Sequence, residues 1–271
     1  MNTTLRRYGA ALLATAALAG CVNTTSSGEV GVQRKQFILL SEQEVTTMSA
    51  QAYAQEVQKA KTGGALNTNA VLTRRVRTIS ERLIRQTPVF RPDARNWKWE
   101  VNVANSSELN AYCMAGGKIM VYSGLVERLS LSDDELATVI GHEMAHALRE
   151  HSRESMSQAY AQQAGLSIVG QLAGLSQASM ELASLATDVT LTKPHSRTME
   201  SEADTIGLEL MARAGYNPQA SLSLWQKMLK AGGGGNGPAF LSTHPAGEDR
   251  IASLQRLIPK VMPLYLAAPK K

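Results

Sequence analysis

Residues 139–146 read Val-Ile-Gly-His-Glu-Met-Ala-His, which sets two imidazoles four positions apart with a carboxylate beside the first. Four residues make about 400° of helical rotation, so His142 and His146 project from one face, one turn apart. Two ring nitrogens at that spacing can bind one Zn²⁺, and Glu143 can reach a water that the metal activates. The pattern predicts a metal-binding helix that carries its own general base.

The flanking residues support a helix over about 133–151. Ser132 and Glu135 form a capping box at its start, and three consecutive acids face its positive end. The histidines would be partly buried, because the helix carries an apolar stripe of Leu136, Val139, Ile140 and Met144. We expect His151, near the C-terminal end of the helix, to face solvent, where it suits the helix dipole.

Two histidines do not complete a zinc site, so at least one further ligand is required. In a metzincin, glycine and histidine would stand three and six positions beyond His146, but this chain has Arg149 and Ser152 there. That subclass is therefore excluded, and the third ligand is expected among the acids further along the chain.

The segment 199–204, Met-Glu-Ser-Glu-Ala-Asp, offers the best candidates. Helical phase turns Glu200 and Asp204 inward, while Glu202 shares a predicted exposed face with Thr205, Glu209 and Arg213. Two inward acids without a basic residue on their own face repel each other unless a cation neutralises them. We assign Glu200 as the third ligand and Asp204 as the carboxylate that holds a ligand histidine by its other ring nitrogen. The alternative is an ordinary amphipathic helix with a salt-bridged acid. Glu202 would then be the remaining, less favoured candidate for the third metal ligand.

These motifs resemble those of the gluzincin metallopeptidases that include HtpX and the CAAX prenyl endopeptidases, and above all their soluble periplasmic lipoprotein (LoiP-like) branch. The resemblance spans residues 40–260 through Asn110-Ala111-Tyr112 to Leu125, Gly141 to His146, Ser196 to Asp204, and Thr243-His244-Pro245 with Arg250. It implies an α+β, mainly helical, zincin-type peptidase domain with a small β-sheet whose edge strand flanks the zinc helix. It also implies that Glu200 is the third metal ligand.

The resemblance further implies that His244 and Arg250 approach the metal. His244 follows a glycine-rich segment, Gly232 to Gly237, which we interpret as a flexible loop rather than a phosphate loop. His244 could swing over the zinc or donate to the oxyanion; a satisfied core histidine is the alternative. His195 is expected to lie in a loop.

The N-terminus has the pattern of a secretory signal peptide over residues 1–20: Arg6 and Arg7, an apolar run, then Leu-Ala-Gly before Cys21. It resembles a bacterial lipobox, which would make Cys21 the lipidated first residue. Because Val22 and not aspartate follows it, the resemblance implies the periplasmic face of the outer membrane. Residues 21–40 are expected to be a flexible tether and 41–271 the peptidase domain. Cys113 is then alone, and we expect it to be a small buried hydrophobe.

Composition narrows the function classes. A formal net charge of +5 is spread along the chain, without clustered basic and aromatic residues, so nucleic-acid binding has no support. No second apolar run is long enough to span a bilayer, so lipid would provide the anchor. Predicted helices cover residues 41–61, 69–86, 154–185, 196–214 and 218–230, and predicted strands cover 97–103 and 117–122.

The predicted reaction is peptide hydrolysis with one Zn²⁺ per chain and Glu143 as the base. We expect substrate to add to a sheet edge along Lys118, Ile119 and Met120, next to Asn110. Backbone pairing tolerates many side chains, so unfolded or misassembled cell-envelope proteins are the expected substrates.

Two alternatives remain open. One is a lipoprotein that chaperones outer-membrane proteins, working with their assembly machinery, in which zinc is only structural. The other is a latent enzyme whose zinc His244 caps.

Overall fold

The computed structural model describes residues 21–172, 194–232, 239–245 and 248–269. The predicted signal peptide, the second part of the predicted 154–185 helical segment and most of the glycine-rich loop lie outside the described residues. Among the residues described, no helix combines the length and the apolar character needed to cross a bilayer.

The architecture is α+β with helices dominant, as predicted. The helices are α1 (Glu42–Thr62), α2 (Ala70–Ile84), α3 (Ser123–Arg128), α4 (Asp133–Leu148), α5 (His151–Leu172), α6 (Arg197–Arg213), α7 (Ala220–Gly232), α8 (Ala239–Thr243) and α9 (Glu248–Ala267). The strands are β1 (Cys21–Val22), β2 (Gln36–Phe37), β3 (Glu100–Ala104), β4 (Ala111–Met114) and β5 (Lys118–Tyr122).

Side-chain caps fix where the main helices begin. Ser41 and Ser132 each complete the predicted capping box, with Glu44 and Glu135 respectively. Helix α4 is shorter than predicted at its C-terminal end, because Glu150 adopts a left-handed φ of 56° and breaks the helix before His151. His151 therefore begins α5 and does not end α4, so its position relative to α4 differs from the prediction.

The larger sheet has the strand order β3-β5-β4, with β3 and β5 parallel and β4 and β5 antiparallel. Gly116 and Gly117, with φ of 78° and 81°, form the tight turn that returns the chain from β4 into β5. Strand β5 is therefore central, and the edge strand that packs against α4 is β4. Our prediction that substrate adds to residues 117–122 is wrong, because both sides of that strand are already paired.

Helices α4 and α6 cross at a contact between two glycines. A Cβ added at Gly207 would lie 2.8 Å from the backbone nitrogen of His142 and 2.9 Å from the carbonyl carbon of Gly141. Only glycine allows this approach. The crossing sets the backbone of the histidine motif directly against the helix that carries Glu200.

Helix α9 was not among the predicted elements. It contains Pro259 and Pro263, neither of which can donate a backbone hydrogen bond. It nevertheless runs from Glu248 to Ala267 and packs against α6 and α7. This packing brings Arg250 to Glu200 and Asp204 of α6.

Residues 23–40, which we call the N-terminal strap, are packed against the domain and are not the flexible tether that the sequence suggested. Val30 and Gln36 are buried, and the Val30 N–H donates to Glu209 at 3.1 Å. The strap's polar residues pair with buried polar groups of the domain; for example, Gln36 donates to the carbonyl of Arg149 at 2.7 Å. Part of its polar composition therefore reflects hydrogen bonding to the domain.

Candidate metal centre

Four potential metal ligands converge in a buried cluster: His142, His146, Glu200 and His244, with one ligand atom from each within 4.8 Å of every other. His142 Nε2 lies 3.1 Å from His146 Nε2 and 3.2 Å from His244 Nδ1. Glu200 Oε1 lies 3.2 Å from His146 Nε2 and 2.9 Å from His244 Nδ1. Helices α4 and α6 thus bring together the three predicted ligands, His142, His146 and Glu200, and His244, the residue after α8, joins them.

The donor set fits a zinc ion. A tetrahedron with bonds of about 2.0–2.1 Å has edges of roughly 3.3–3.4 Å, close to the separations in the cluster. Asp204 Oδ1 lies 3.1 Å from His142 Nδ1. Because an ionised carboxylate only accepts hydrogen bonds, His142 Nδ1 carries the proton and Nε2 turns its lone pair into the cluster. Imidazole lone pairs and a carboxylate oxygen that meet at these separations are a donor set for a metal ion.

Glu143 lies beside the cluster without belonging to it. Its carboxylate is buried, and its Oε1 is 3.4 Å from His244 Nε2 but has no hydrogen-bond partner among the residues described. Burial raises the pKa of Glu143 above its ordinary value. This is the environment of a carboxylate that can take up and release a proton.

Arg250 binds the two acids that the sequence singled out. Its Nε donates to Asp204, and its guanidinium forms an ion pair with Glu200 Oε2 at 2.7 Å. The guanidinium carbon lies 3.5 Å from the ring centroid of Trp225, which no sequence signal had connected with the site. The expectation that Arg250 and His244 approach the cluster agrees with the structure.

Two predictions about the cluster's surroundings are wrong. His151 is fully buried and not solvent-facing: its Nδ1 lies 2.9 Å from His146 Nδ1. Glu202 is also buried, and His151 Nε2 donates to it at 3.0 Å. Burial alone would raise the pKa of Glu202, but hydrogen bonds from His151, Arg34 and Arg149 lower it to about 2.

Glu209, also predicted to be exposed, is buried and pairs with Arg213 at 2.8 Å. His195 lies in a loop, as expected, but its ring centroid lies 4.2 Å from that of His146, with the two ring planes tilted by 31°. Helix α6 therefore has buried carboxylates on the side that periodicity assigned to solvent.

The predicted substrate residues are only partly brought to the site. Ile119 and Met120 are buried in the central strand, and Lys118 Nζ donates to the carbonyl of Lys98 at 2.6 Å. Asn110 directly precedes edge strand β4 and is half-buried, and its carbonyl accepts from the Tyr122 N–H at 3.1 Å. Buried Cys113, within β4, is free, as expected.

An open cavity adjoins the metal cluster. Its volume is about 260 Å³, and it lies between α6 and α9, with Glu200 and Arg250 in its wall. Leu254 and Leu257 give it an apolar side, and exposed Arg197 stands at its rim. The cavity could take a side chain of a molecule bound at the cluster.

A histidine pair on one helix, a glutamate from a second helix and a sheet edge beside them define a zincin-type metallopeptidase domain. The model of "Peptidase family M48" matches residues 70–258. The chain belongs to this family, in agreement with the resemblance seen in the sequence.

Comparison with individual proteins supports the same family. The chain is 31% identical over 247 residues to metalloprotease LoiP of Escherichia coli, covering 88% of this chain and 90% of LoiP. It is 36% identical over 176 residues to the mitochondrial metalloendopeptidase OMA1 of Saccharomyces cerevisiae, covering 62% of this chain and 49% of that protein. The beta-barrel assembly-enhancing protease of Escherichia coli is 30% identical over 171 residues, which cover 60% of this chain and 35% of that protease. The chain thus spans about half the length, or less, of several relatives that it matches.

Proposed function

We propose that this protein is a zinc-dependent endopeptidase that hydrolyses unfolded or misassembled polypeptides of the cell envelope. The buried cluster of His142, His146, Glu200 and His244 carries the proposal, because its donor separations suit one tetrahedral zinc ion per chain. Membership of a metallopeptidase family supports it independently.

The zinc would be held by His142, His146 and Glu200. When bound, it supplies Lewis acidity, which makes water nucleophilic near neutral pH and polarises the scissile carbonyl. Asp204 holds the Nδ1 proton of His142, so that the Nε2 lone pair faces the metal position. Arg250 keeps Asp204 and Glu200 ionised and in place.

Glu143 is the proposed general base and acid. It takes the proton of the attacking water and passes it to the leaving amine, which requires a carboxylate that is free to change protonation state. Its oxygen without a hydrogen-bond partner and its raised pKa both suit that task. A purely structural zinc site would have no use for such a group.

His244 would restrain the enzyme in this conformation without abolishing its activity. Its Nδ1 lies within the ligand cluster, 2.9 Å from Glu200 Oε1, where it occupies the position that a substrate or water would need. We expect His244→Ala to raise peptidase activity. If this change only lowers activity, His244 instead binds the transition state.

Substrate would bind as an extended strand along the free side of β4, in place of the central strand first predicted. Within the described part of the chain, β4 pairs with β5 along one side only and packs against α4 near the histidines. Pairing through backbone groups selects for extended, unfolded chains more than for particular side chains. The cavity between α6 and α9 could accept one side chain of such a substrate.

The cellular setting is proposed from the N-terminus and the relatives. We propose that residues 1–20 are a signal peptide, that lipid on Cys21 anchors the protein, and that it acts on the periplasmic face of the outer membrane. The name of one relative, the beta-barrel assembly-enhancing protease of Escherichia coli, suggests a connection with the outer-membrane assembly machinery. Cys21→Ser should release the protein from the membrane fraction; retention there would refute the lipid anchor.

The decisive experiment measures metal content and hydrolysis together. Purified protein should contain one zinc per chain and cleave unfolded casein, and a chelator should stop cleavage. Glu143→Ala should retain zinc but lose cleavage, because it removes the base and leaves the ligands intact. Zinc without cleavage, together with suppressed aggregation of an unfolded client, would support the chaperone alternative and overturn the proposal.

A further inference from the structure

The far side of His146 contacts a buried pair of polar side chains that the reaction described above does not use. His146 Nδ1 lies 2.9 Å from His151 Nδ1, and His151 Nε2 lies 3.0 Å from Glu202 Oε2. The exposed fractions of the three residues are 4%, 0% and 7%. Water therefore does not compete for these hydrogen bonds.

The position of each proton in this chain follows from the acceptor at its end. An ionised Glu202 only accepts, so His151 Nε2 carries a proton and, in the neutral ring, His151 Nδ1 is an acceptor. His146 Nδ1 must then donate to it. The remaining nitrogen, His146 Nε2, presents its lone pair towards His142 and Glu200.

Two arginines hold Glu202 in the orientation that this chain needs. Arg149, fully buried, donates to Glu202 Oε1 at 3.1 Å. Arg34, on the N-terminal strap, donates to Glu202 Oε2 at 2.9 Å and forms a two-bond ion pair with Glu154 at 2.6 and 2.8 Å. Arg149 also donates to the backbone carbonyl of Arg34. The strap thus closes the network around the carboxylate.

We propose that His151 and Glu202 are positioning residues for the ligand His146, and that Arg34 of the N-terminal strap completes their arrangement. This inference deepens the proposed function and rests on it. Its chemical content is that the pair fixes the tautomer and the ring orientation of His146, as Asp204 does for His142. The segment next to the proposed lipid site would then contribute directly to metal affinity.

If His151 only filled space in the core, a substitution that keeps its hydrogen-bond acceptor and one that removes it would affect zinc binding equally. His151→Leu leaves the His146 Nδ1 proton buried without an acceptor, whereas His151→Asn places an amide oxygen where His151 Nδ1 stands. Packing is disturbed in both, but only His151→Asn keeps the hydrogen bond. The comparison therefore separates positioning from packing.

The test measures the zinc dissociation constant by competition with a chromogenic chelator, the visible absorption of the cobalt(II) form, and the melting temperature of the metal-free protein. We expect His151→Leu and Glu202→Gln to weaken zinc binding by about 10- to 100-fold and to shift the cobalt bands. His151→Asn should recover most of that affinity. Arg34→Gln should weaken binding to a smaller extent.

Arg153→Gln is the matched control. Arg153 also joins α5 to the strap, through the Leu40 carbonyl at 2.8 Å, and pairs with Glu150, but it does not contact Glu202. We expect this variant to have wild-type zinc affinity. If His151→Leu and Glu202→Gln do not fold, the comparison of Arg34→Gln with Arg153→Gln decides, since both arginines are partly exposed and both pair with a buried carboxylate.

Two outcomes would refute the inference. Wild-type zinc affinity and unshifted cobalt bands in the folded variants would show that the pair only stabilises the fold. Wild-type protein that binds no zinc would overturn the proposed function, and this inference with it. The two failures are distinguished by the wild-type measurement alone.

Discussion

Asp204 interacts with two other residues of the site, the predicted ligand His142 and the buried Arg250. It accepts from His142 Nδ1, and it is also an ion-pair partner of the buried Arg250. Burial raises the pKa of Asp204, but Arg250 and His142 more than offset this and hold it below its ordinary value. The carboxylate is therefore ionised and can orient the ligand while it neutralises the arginine.

Asp204→Asn should weaken zinc binding by about 10- to 100-fold, because a neutral amide accepts more weakly from His142 and leaves Arg250 without a full partner. Chelator competition on purified variants measures the change. Asp249→Asn is the control, since Asp249 is exposed on the neighbouring helix α9. Equal zinc affinities of the two variants would contradict the role of Asp204.

The histidine motif and the inward pair Glu200 and Asp204 could be predicted from spacing, because helical periodicity determines which side chains share a face. Glu202 and His151 could not. Periodicity assigns polar residues to solvent, yet here a distant polar segment, the N-terminal strap, covers them. Arg34 is 168 positions from Glu202 in the sequence, and no local pattern reveals such a pairing.

At the level of elements, the contact between α4 and α6 depends on Gly207. Gly207→Ala would place a methyl group 2.8 Å from the His142 nitrogen, so the helices would have to separate. We expect a loss of roughly 1–3 kcal/mol of stability, typical of overpacking, and weaker zinc binding because Glu200 moves away from the histidines. Denaturant unfolding and chelator competition measure the two effects.

Gly63→Ala is the control for this change. Gly63 caps α1 with φ of −75°, and a Cβ there would meet its nearest atom at 3.4 Å, which is ordinary contact. This variant should bind zinc like wild type. Wild-type zinc affinity in Gly207→Ala would show that the helices can adjust without moving Glu200.

Glu135 links the start of α4 to α7. It caps α4 through Ser132 and pairs with Lys227 at 2.7 Å. Burial raises the pKa of Glu135, but Lys227, Ser132 and Ser223 together lower it below the ordinary 4.5. A carboxyl with a lowered folded-state pKa contributes stability above its unfolded-state pKa, and that contribution is lost as pH falls through the folded-state value.

Glu135→Gln should therefore be less stable than wild type at pH 7, and the difference in free energy of unfolding should shrink as pH falls below about 4.5. The measurement uses denaturant unfolding of metal-free protein, so that zinc release in acid does not contribute. Glu81→Gln, at an exposed position of α2, should show no such difference. A difference that stays constant down to pH 3 would contradict the ion-pair explanation.

Most of the helices before residue 233 were predictable because caps and apolar periodicity agree. Strand β4 was not, since its four residues are all buried and show no alternation. Helix α9 was missed because Pro259 and Pro263 interrupt its hydrogen-bond pattern. Because β4 was not predicted, β5 was taken for the edge strand of the sheet. The helix that carries the histidines was predicted correctly.

At the scale of the whole molecule, the metal cluster ties together segments that are far apart in the chain. His142 and Glu200 come from crossing helices, and His244 follows a separate short helix. A ligand that binds only the folded state stabilises it in proportion to the logarithm of its concentration over its dissociation constant. Zinc should therefore stabilise the fold as well as supply the chemistry.

Removing zinc should lower the melting temperature. At a free zinc concentration of about 1,000 times the dissociation constant, the stabilisation is about 4 kcal/mol. For a chain of this size that corresponds to roughly 8–16 °C. Calorimetry with and without chelator measures the shift, and hydrogen exchange should place the loss of protection around Glu200 and His244, where the ligands lie outside the histidine helix.

Two variants make this prediction specific to the ligands. Glu143→Gln should show the same shift as wild type, since Glu143 lies beside the cluster and is not a ligand. His146→Ala should melt at one temperature whether or not zinc is present. If chelator lowers the melting temperatures of wild type and His146→Ala equally, the stabilising metal binds elsewhere. The cluster between α4 and α6 would then not be the site through which zinc stabilises the fold.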